Sequence, residues 1–573
     1  MLNKVFHHKD RGSGLGTELL AGLGMFFLSV CGLFVNMQLI AKLSTSGEYA
    51  QATAQQIAVN GEYYALTWFL SMIIAFAGSL LIGIVAGLPL VQVSGLGTSV
   101  VLVSMIGLET GLNYYNLLFV CFVSSIVYTV LWLIPGLRDF IFRALPRPVR
   151  KALPAASGIL ICCVALQLTG VTGLTSSSIS IYGAGTNGLT ENATVQLFGG
   201  IALGQYSYST DAYHPLLMIG MIAVLFTAAL FILIRRRSGK PYLVSLMGGT
   251  LFFLLVSILR VNLDWKTKKF NLDSLWGRLW MMGSEDAMQT HIATMKKTFS
   301  FTRVLEKGSD FSAYTEAGGN VVLLFAVGIL TFLLLNMYES QAVLETVGSD
   351  AALFDTDSSK SIRNAMICNG LANIAAALIG TTPVQIAPAS VAGEKDGART
   401  GIASIVASVG MAVSIFFWIV PFLFTTALSY SIQFNLYGHY GTVMQLMSES
   451  GMAVADAVMV FVGLAMIAES FRQLDLKQLG ELAPAMATVL GAFASSNLAA
   501  GAAIGTIAFT LANLLPEKRR AAEEAAAEMA ADEAEERGTE IVLTSDPAPA
   551  VTPENLVWTA VSAALLVLMA MYY

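Results

Sequence analysis

The chain has 573 residues, 55% hydrophobic and 12% charged, with mean hydropathy +0.68 and formal net charge −6. A soluble domain carries roughly 25% charged residues, so this composition excludes a water-soluble fold and leaves a polytopic membrane protein. The negative charge is concentrated in 517–554, and no basic excess points to nucleic acid.

The start is polar, with His7-His8-Lys9-Asp10-Arg11, and the first apolar run is long enough to span a bilayer. That pattern predicts a retained first span and no cleavable leader. Apolar runs of spanning length follow at about 18–40, 63–86, 114–135, 152–171, 214–234 and 241–259. A second series lies at about 319–344, 364–380, 401–428, 453–470, 484–497 and 499–515, and a last run at about 556–572.

Two further segments are apolar but broken. One reads Leu88-Pro89-Leu90-Val91-Gln92-Val93-Ser94-Gly95 and the other Thr381-Thr382-Pro383-Val384-Gln385-Ile386-Ala387-Pro388. Each sets a Pro ahead of a Val-Gln-Val/Ile triplet and breaks again at Gly or Pro. Gly/Pro-interrupted segments at matching places in two halves point to a transporter's binding site. Counting them gives seven spans, seven more and one terminal helix; an odd number per half inverts the second half relative to the first.

With the N-terminus in the cytoplasm, the basic stretches Arg138 to Lys151, Arg235-Arg236-Arg237 with Lys240, and Lys518-Arg519-Arg520 all fall inside. Connections 41–62, 172–213 and 429–451 then fall outside, with Lys42 their one basic residue. Loop 260–317 opposes this, since it would be external yet holds Lys266, Lys268, Lys269, Lys296 and Lys297. The Ala/Glu-rich run Ala521 to Arg537 predicts a solvated charged helix, followed by a Pro-rich linker. Cys31, Cys121, Cys162, Cys163 and Cys368 lie in apolar runs without CxxC spacing and read as packing residues.

Few ionisable residues fall within spans. Glu339 stands out, following some twenty apolar residues and sitting among Asn336, Tyr338, Ser340 and Gln341. A carboxylate at that depth is costly unless paired or protonated, so it is a candidate for substrate binding and proton exchange. The bland alternative is a wetted residue near the cytoplasmic end of its helix. Glu345 is read as solvated, Glu18 as an acid favoured at a helix start, and Asn36 as a buried packing amide, with an interhelical bond the alternative.

Extended backbone at 90–94 and 383–387 leaves N–H and C=O groups to satisfy, and pairing the two pieces with one another would do so. The helices that follow, from Gly95-Leu96-Gly97-Thr98 and Ala389-Ser390, would aim N–H groups at the same point. Gln92, Ser94, Gly95, Gly97, Thr98, Gln385, Ala387, Ala389 and Ser390 are therefore the candidate substrate-binding residues beside Glu339. A pair of ordinary kinks is the alternative. No GxxxxGK[ST], HExxH or GxSxG occurs, so neither an ATP-driven pump nor a familiar membrane hydrolase is indicated. The reading is a transporter, not an enzyme, with no metal or organic cofactor.

The run Gly16-Thr17-Glu18-Leu19-Leu20-Ala21-Gly22, with Phe26 and Phe34-Val35-Asn36, resembles the first span of the adenine/guanine/hypoxanthine permeases, a branch of the nucleobase:cation symporter-2 family. Gly78-Ser79-Leu80-Leu81-Ile82-Gly83 through Gly95-Leu96-Gly97 is similar to their second and third spans. Gly380-Thr381-Thr382-Pro383-Val384 and Gly397-Ala398-Arg399-Thr400-Gly401 look like their tenth span and the turn after it. The likeness covers roughly 16–170 and 320–515.

It implies an all-α fold of fourteen spans in two inverted sevens, with two short mid-membrane strands in spans 3 and 10. A cytoplasmic N-terminus (1–17) would precede core spans 1–4 (18–135), gate spans 5–7 (152–260) and a long polar loop (261–317). Core spans 8–11 (318–428), gate spans 12–14 (453–515), a charged cytoplasmic linker (516–554) and an extra terminal helix (555–573) would follow. The family's span-8 acid, in an Asp-Thr-x-Gly-Thr setting, falls on Glu339-Ser340-Gln341-Ala342-Val343. Its span-10 Thr-Thr-Tyr-x-Glu-Ser falls on Gln385-Ile386-Ala387-Pro388-Ala389-Ser390, so Ala389 stands where the second acid would be. Its Gly-Leu-Asn of span 3 falls on Gly97-Thr98-Ser99.

The expectation is a plasma-membrane permease taking up a purine-like nucleobase with a proton, with the bilayer and a small molecule as partners and a homodimer left open. The same fold carrying another solute or an anion, and a non-transporting sensor or scaffold, are the alternatives.

Overall fold

The computed structural model describes residues 11–42, 62–95, 97–99, 101–102, 105, 111–168, 173–174, 201–202, 225–235, 240–249, 263–264, 269–270, 301–348, 358–416, 453–475, 477–513 and 551–572. Most of loops 172–213 and 261–317, the linker before 551 and the side chains of Cys31 and Asn36 lie outside them.

The chain opens with helices α1 (Leu15–Lys42) and α2 (Glu62–Val85), strand β1 (Gln92–Ser94), α3 (Tyr114–Leu133), α4 (Pro135–Ala144) and α5 (Arg147–Leu168). Two-residue strands β2 (Gly173–Leu174) and β3 (Ile201–Ala202) pair with each other. Next come α6 (Leu225–Arg235) and α7 (241–249). The pair β4 (Leu263–Asp264) and β5 (Lys269–Phe270) precedes two short helices, α8 (Arg303–Gly308) and α9 (Ser312–Glu316). Then come α10 (Val321–Gly348), α11 (Ser358–Ile379), β6 (Val384–Ile386), α12 (Ala389–Lys395) and α13 (Gly401–Phe416). The chain closes with α14 (Ala453–Gln473), α15 (Leu479–Ser495), α16 (Leu498–Asn513) and α17 (Pro553–Tyr572).

Local chemistry sets several of these ends. Asn113 and Asn116 close a reciprocal capping box that starts α3, and Pro135 occupies the first turn of α4 where its missing N–H costs nothing. Among the described residues, four helices are long and apolar enough to cross a bilayer: Tyr114–Leu133, Val321–Gly348, Ser361–Ile379 and Pro553–Met571. Leu15–Val30, Leu70–Val85, Gly401–Ile415, Leu479–Ser495 and Leu498–Asn513 are shorter apolar helices.

The helices gather in two groups. α11 lies on α2 and α3, α13 on α1 and α2, and α10 on α3, around the strands β1 and β6. α14 and α15 lie on α5, and α16 lies on α15. α10 borders both groups, touching α5 and α16, and Arg150 of α5 contacts Glu345 of α10 at 3.0 Å. Glu345 is thus ion-paired rather than simply solvated. The Arg150 Nε–H does not aim at the oxygen, so the contact is one of charge more than of hydrogen bonding.

β1 and β6 run antiparallel, with Gln92 opposite Ile386, Val93 opposite Gln385 and Ser94 opposite Val384. The ladder continues at both ends, where Ala387 N–H donates to Val91 O at 2.8 Å and Gly95 N–H to Pro383 O at 3.0 Å. Buried strand edges need partners, and here side chains supply them. Ser79 of α2 accepts from Gln92 N–H at 2.9 Å, Ser340 of α10 from Ile386 N–H at 3.4 Å, and Asn373 of α11 from Val384 N–H.

Candidate functional site

The polar run 336–341 in α10 is sorted by helical geometry. Asn336 and Ser340, four residues apart, share a face and both accept from the Asn369 amide of α11, at 2.9 and 3.2 Å. Tyr338 points elsewhere, and its hydroxyl accepts from the Trp558 indole N–H at 3.1 Å. Glu339 faces a third direction, toward the turn that follows β1. Its carboxylate accepts the Gly97 N–H.

That turn is shaped for two side chains. A Cβ on Gly97 would fall on the Glu339 carboxylate, and one on Gly95 would lie 2.8 Å from the Gln385 side-chain amide and 3.0 Å from Thr98 Oγ1. A side chain at either position would have to displace the end of the acid or the amide pressed against it. Glu339 is 8% exposed and Gln385 6%, yet Glu339 Oε2 and Gln385 Oε1 have no hydrogen-bond partner. Two buried acceptors lie beside Gly95 and Gly97, ready for N–H donors. Leaving each unpaired costs about 1–3 kcal/mol.

The other expected residues sit around this centre in different roles. Neighbouring residues of a strand point to opposite faces, so Gln92 and Gln385 lie on opposite sides of the ladder, given their register. The Gln92 side chain is fully buried against Gly78. Ser94 donates to Ser71 Oγ at 3.4 Å, and Ser390 accepts the Val91 N–H at 3.0 Å, so both hydroxyls serve the scaffold. Ala387 and Ala389 are buried and bring no side-chain polar group.

Glu18 is buried and accepts the Arg399 N–H at 2.9 Å, holding the turn before α13. The sequence reading missed Asn369 and Asn373, whose spacing of four in an apolar helix was the available signal. It also missed Glu394, a buried acid 3.2 Å from the Arg399 guanidinium. Asp396 was missed as well; its carboxylate accepts from Tyr242 and Leu243 N–H at 3.2 and 2.8 Å. Among the described residues, no three His, Cys, Asp or Glu side chains come together as metal ligands.

Apolar helices long enough to span a bilayer, packed around a buried polar centre, define a membrane protein. The chain is 20% identical over 511 residues to the guanine/hypoxanthine permease PbuO of Bacillus subtilis (88% of this chain, 93% of that one). It is 21% identical over 419 residues to the guanine/hypoxanthine permease PbuG of the same organism (73% and 78%). The homologues of this chain are thus permeases of the nucleobase:cation symporter-2 family. No family model matches the chain. Among solved structures it is similar to the transmembrane domain of a cyanobacterial bicarbonate transporter, BicA. That match has 14% identity, covers 85% of this chain and 97% of that one, and has a TM-score of 0.47.

Proposed function

We propose that this protein is a secondary active permease for purine-like nucleobases, held between a core (18–135 and 318–428) and a gate (152–260 and 453–515) that alternate access. The observation that carries the reading is the pair of buried acceptors without partners, Glu339 Oε2 and Gln385 Oε1, beside Gly95, Gly97 and Thr98. Guanine presents its ring N1–H and its exocyclic amino group on one edge, and hypoxanthine its ring N1–H, which are donors for such acceptors. Homology to guanine/hypoxanthine permeases supports the same class of cargo.

In this reading Glu339 accepts from the ring and carries the coupled proton. Gln385 takes the place of a second acid, since Ala389 offers no acceptor. The seven-plus-seven inverted arrangement, with β1 and β6 in spans 3 and 10 and the N-terminus in the cytoplasm, completes the proposal. A helix bundle whose two groups meet along α10 supports it.

A thermal-shift series on the purified full-length protein tests cargo, because a ligand that binds only the folded state raises apparent stability. Guanine or hypoxanthine should raise the melting temperature while uracil and bicarbonate do not, and proteoliposomes should accumulate the purine under an inward proton gradient. A shift with bicarbonate alone, or no purine uptake at any gradient, overturns it.

A further inference from the structure

The terminal helix α17 lies against α16, α10 and α4, and its polar attachments share one of its faces. Asn555 Nδ2 donates to the Arg143 and Ala144 carbonyls at 3.2 and 2.9 Å, filling orphan acceptors at the end of α4. Thr559 Oγ1 and Thr510 Oγ1 of α16 lie 2.6 Å apart. Between them, the Trp558 indole N–H donates to the Tyr338 hydroxyl at 3.1 Å, with Trp558 7% and Tyr338 1% exposed. Positions 555, 558 and 559 follow the i, i+3, i+4 spacing of a single helix face.

Its outer face, with Leu556, Val557, Val567 and Met571 exposed, is apolar as a lipid-facing side should be. α17 is therefore seated by specific polar ties rather than trailing in the bilayer. Tyr338 immediately precedes Glu339 in α10, so a rotation or slide of α10 that moves one moves the other.

We propose that Trp558 is a positioning residue for Glu339, acting through the Tyr338 hydroxyl to fix the rotational setting of α10. An indole N–H and a phenol in a dry helix interface have little other choice of partner, which makes their meeting a one-position latch. The inference rests on the proposed binding role of Glu339, and its test includes a readout that does not.

Trp558→Phe, Tyr338→Phe, the double variant and Thr559→Val are purified as full-length chains. Guanine affinity is measured by calorimetry, and hydrogen exchange over 335–343 is measured without ligand. Trp558→Phe and Tyr338→Phe should each weaken guanine binding roughly 3- to 15-fold, the worth of one interhelical hydrogen bond. The double variant should be no worse than either single, as for two halves of one interaction. Exchange over 335–343 should quicken in both single variants and stay at the wild-type rate in Thr559→Val, which loosens only the α16 tie.

If Trp558→Phe and Thr559→Val change melting temperature alike and neither alters guanine affinity or exchange over 335–343, α17 is only a structural addition and the proposal falls. If wild type binds no guanine, the permease reading fails instead, and exchange over 335–343 alone decides the positioning role.

Discussion

Gly97 and Glu339 occupy one another's space: the glycine gives its N–H to the carboxylate and leaves, by having no side chain, the room that the carboxylate fills. A backbone amide thus holds one oxygen of the acid while the other has no partner. The arrangement orients an acceptor without consuming it.

Replacing Glu339 with Gln keeps an acceptor for Gly97 but removes the charge and the titratable proton. Guanine affinity should fall roughly 10- to 150-fold, the range for a hydrogen bond to a charged group. Any residual uptake should lose its dependence on external pH. Uptake by proteoliposomes across a pH series checks this, and full, pH-dependent uptake would remove Glu339 from the mechanism.

Gly97→Ala should push the carboxylate aside and weaken guanine binding on the order of 10-fold or more, about the worth of one displaced charged hydrogen bond. Shortening the acid should restore part of the fit, so Gly97→Ala with Glu339→Asp should bind guanine better than Gly97→Ala alone. Calorimetry on the two variants decides, and equal affinities would show that the crowding at this turn is not what sets the site.

Gln385 and Gln92 should behave as opposites. Gln385→Met is expected to keep the melting temperature and lose about 10-fold in purine affinity, as one ligand hydrogen bond disappears. Gln92→Met removes a fully buried amide with both polar atoms unpartnered. It should melt no lower than wild type, because an apolar replacement relieves a desolvated group. A drop in melting temperature for Gln92→Met with unchanged stability and affinity for Gln385→Met would reverse the assignment of the two faces.

Asp396 lies in the turn between α12 and α13, and burial pushes its carboxyl up to about 7, against the pull of the Tyr242 and Leu243 amides and the charge of Lys240. A raised value means that the folded chain holds a proton the unfolded chain has released. The associated stability is present below the ordinary carboxyl value of 3.8 and is lost as pH rises through about 7. The melting temperature of wild type minus that of Asp396→Asn should therefore shrink between pH 5 and pH 8. A difference that stays flat, or grows with pH, contradicts the assignment.

Much of the scaffold was legible from composition and hydrophobic length. The runs at 114–135, 319–344 and 556–572 became α3, α10 and α17 with ends shifted by no more than a few residues. Pro89 and Pro383 marked the places where helix gives way to short strands, since Pro removes a donor and blocks the preceding turn. Glu339 was visible because an acid after twenty apolar residues is expensive.

What was not legible depends on partners far apart in the chain. Ser94 and Ser390 read as ligand groups, yet their hydroxyls meet Ser71 and the Val91 amide. Glu345 read as wetted, yet Arg150 reaches it from a helix nearly two hundred positions earlier. The acids Glu394 and Asp396 were passed over because a charged stretch near a turn looks like solvated surface until the turn is seen to be covered.

The register of the ladder bears on how the two halves are to be compared. Any two-fold axis normal to an antiparallel pair returns each residue to the face it came from. Gln92 and Gln385, on opposite faces, cannot be exchanged by such an axis; Gln92 falls on Val384 or Ile386 instead, and Gln385 on Val93 or Val91. Under such an axis the shared Val-Gln spelling is one letter out of phase, and an alignment of the halves that honours the spelling would shift every residue around the ladder by one. The two glutamines are homonyms rather than counterparts, and one can be rewritten without reference to the other.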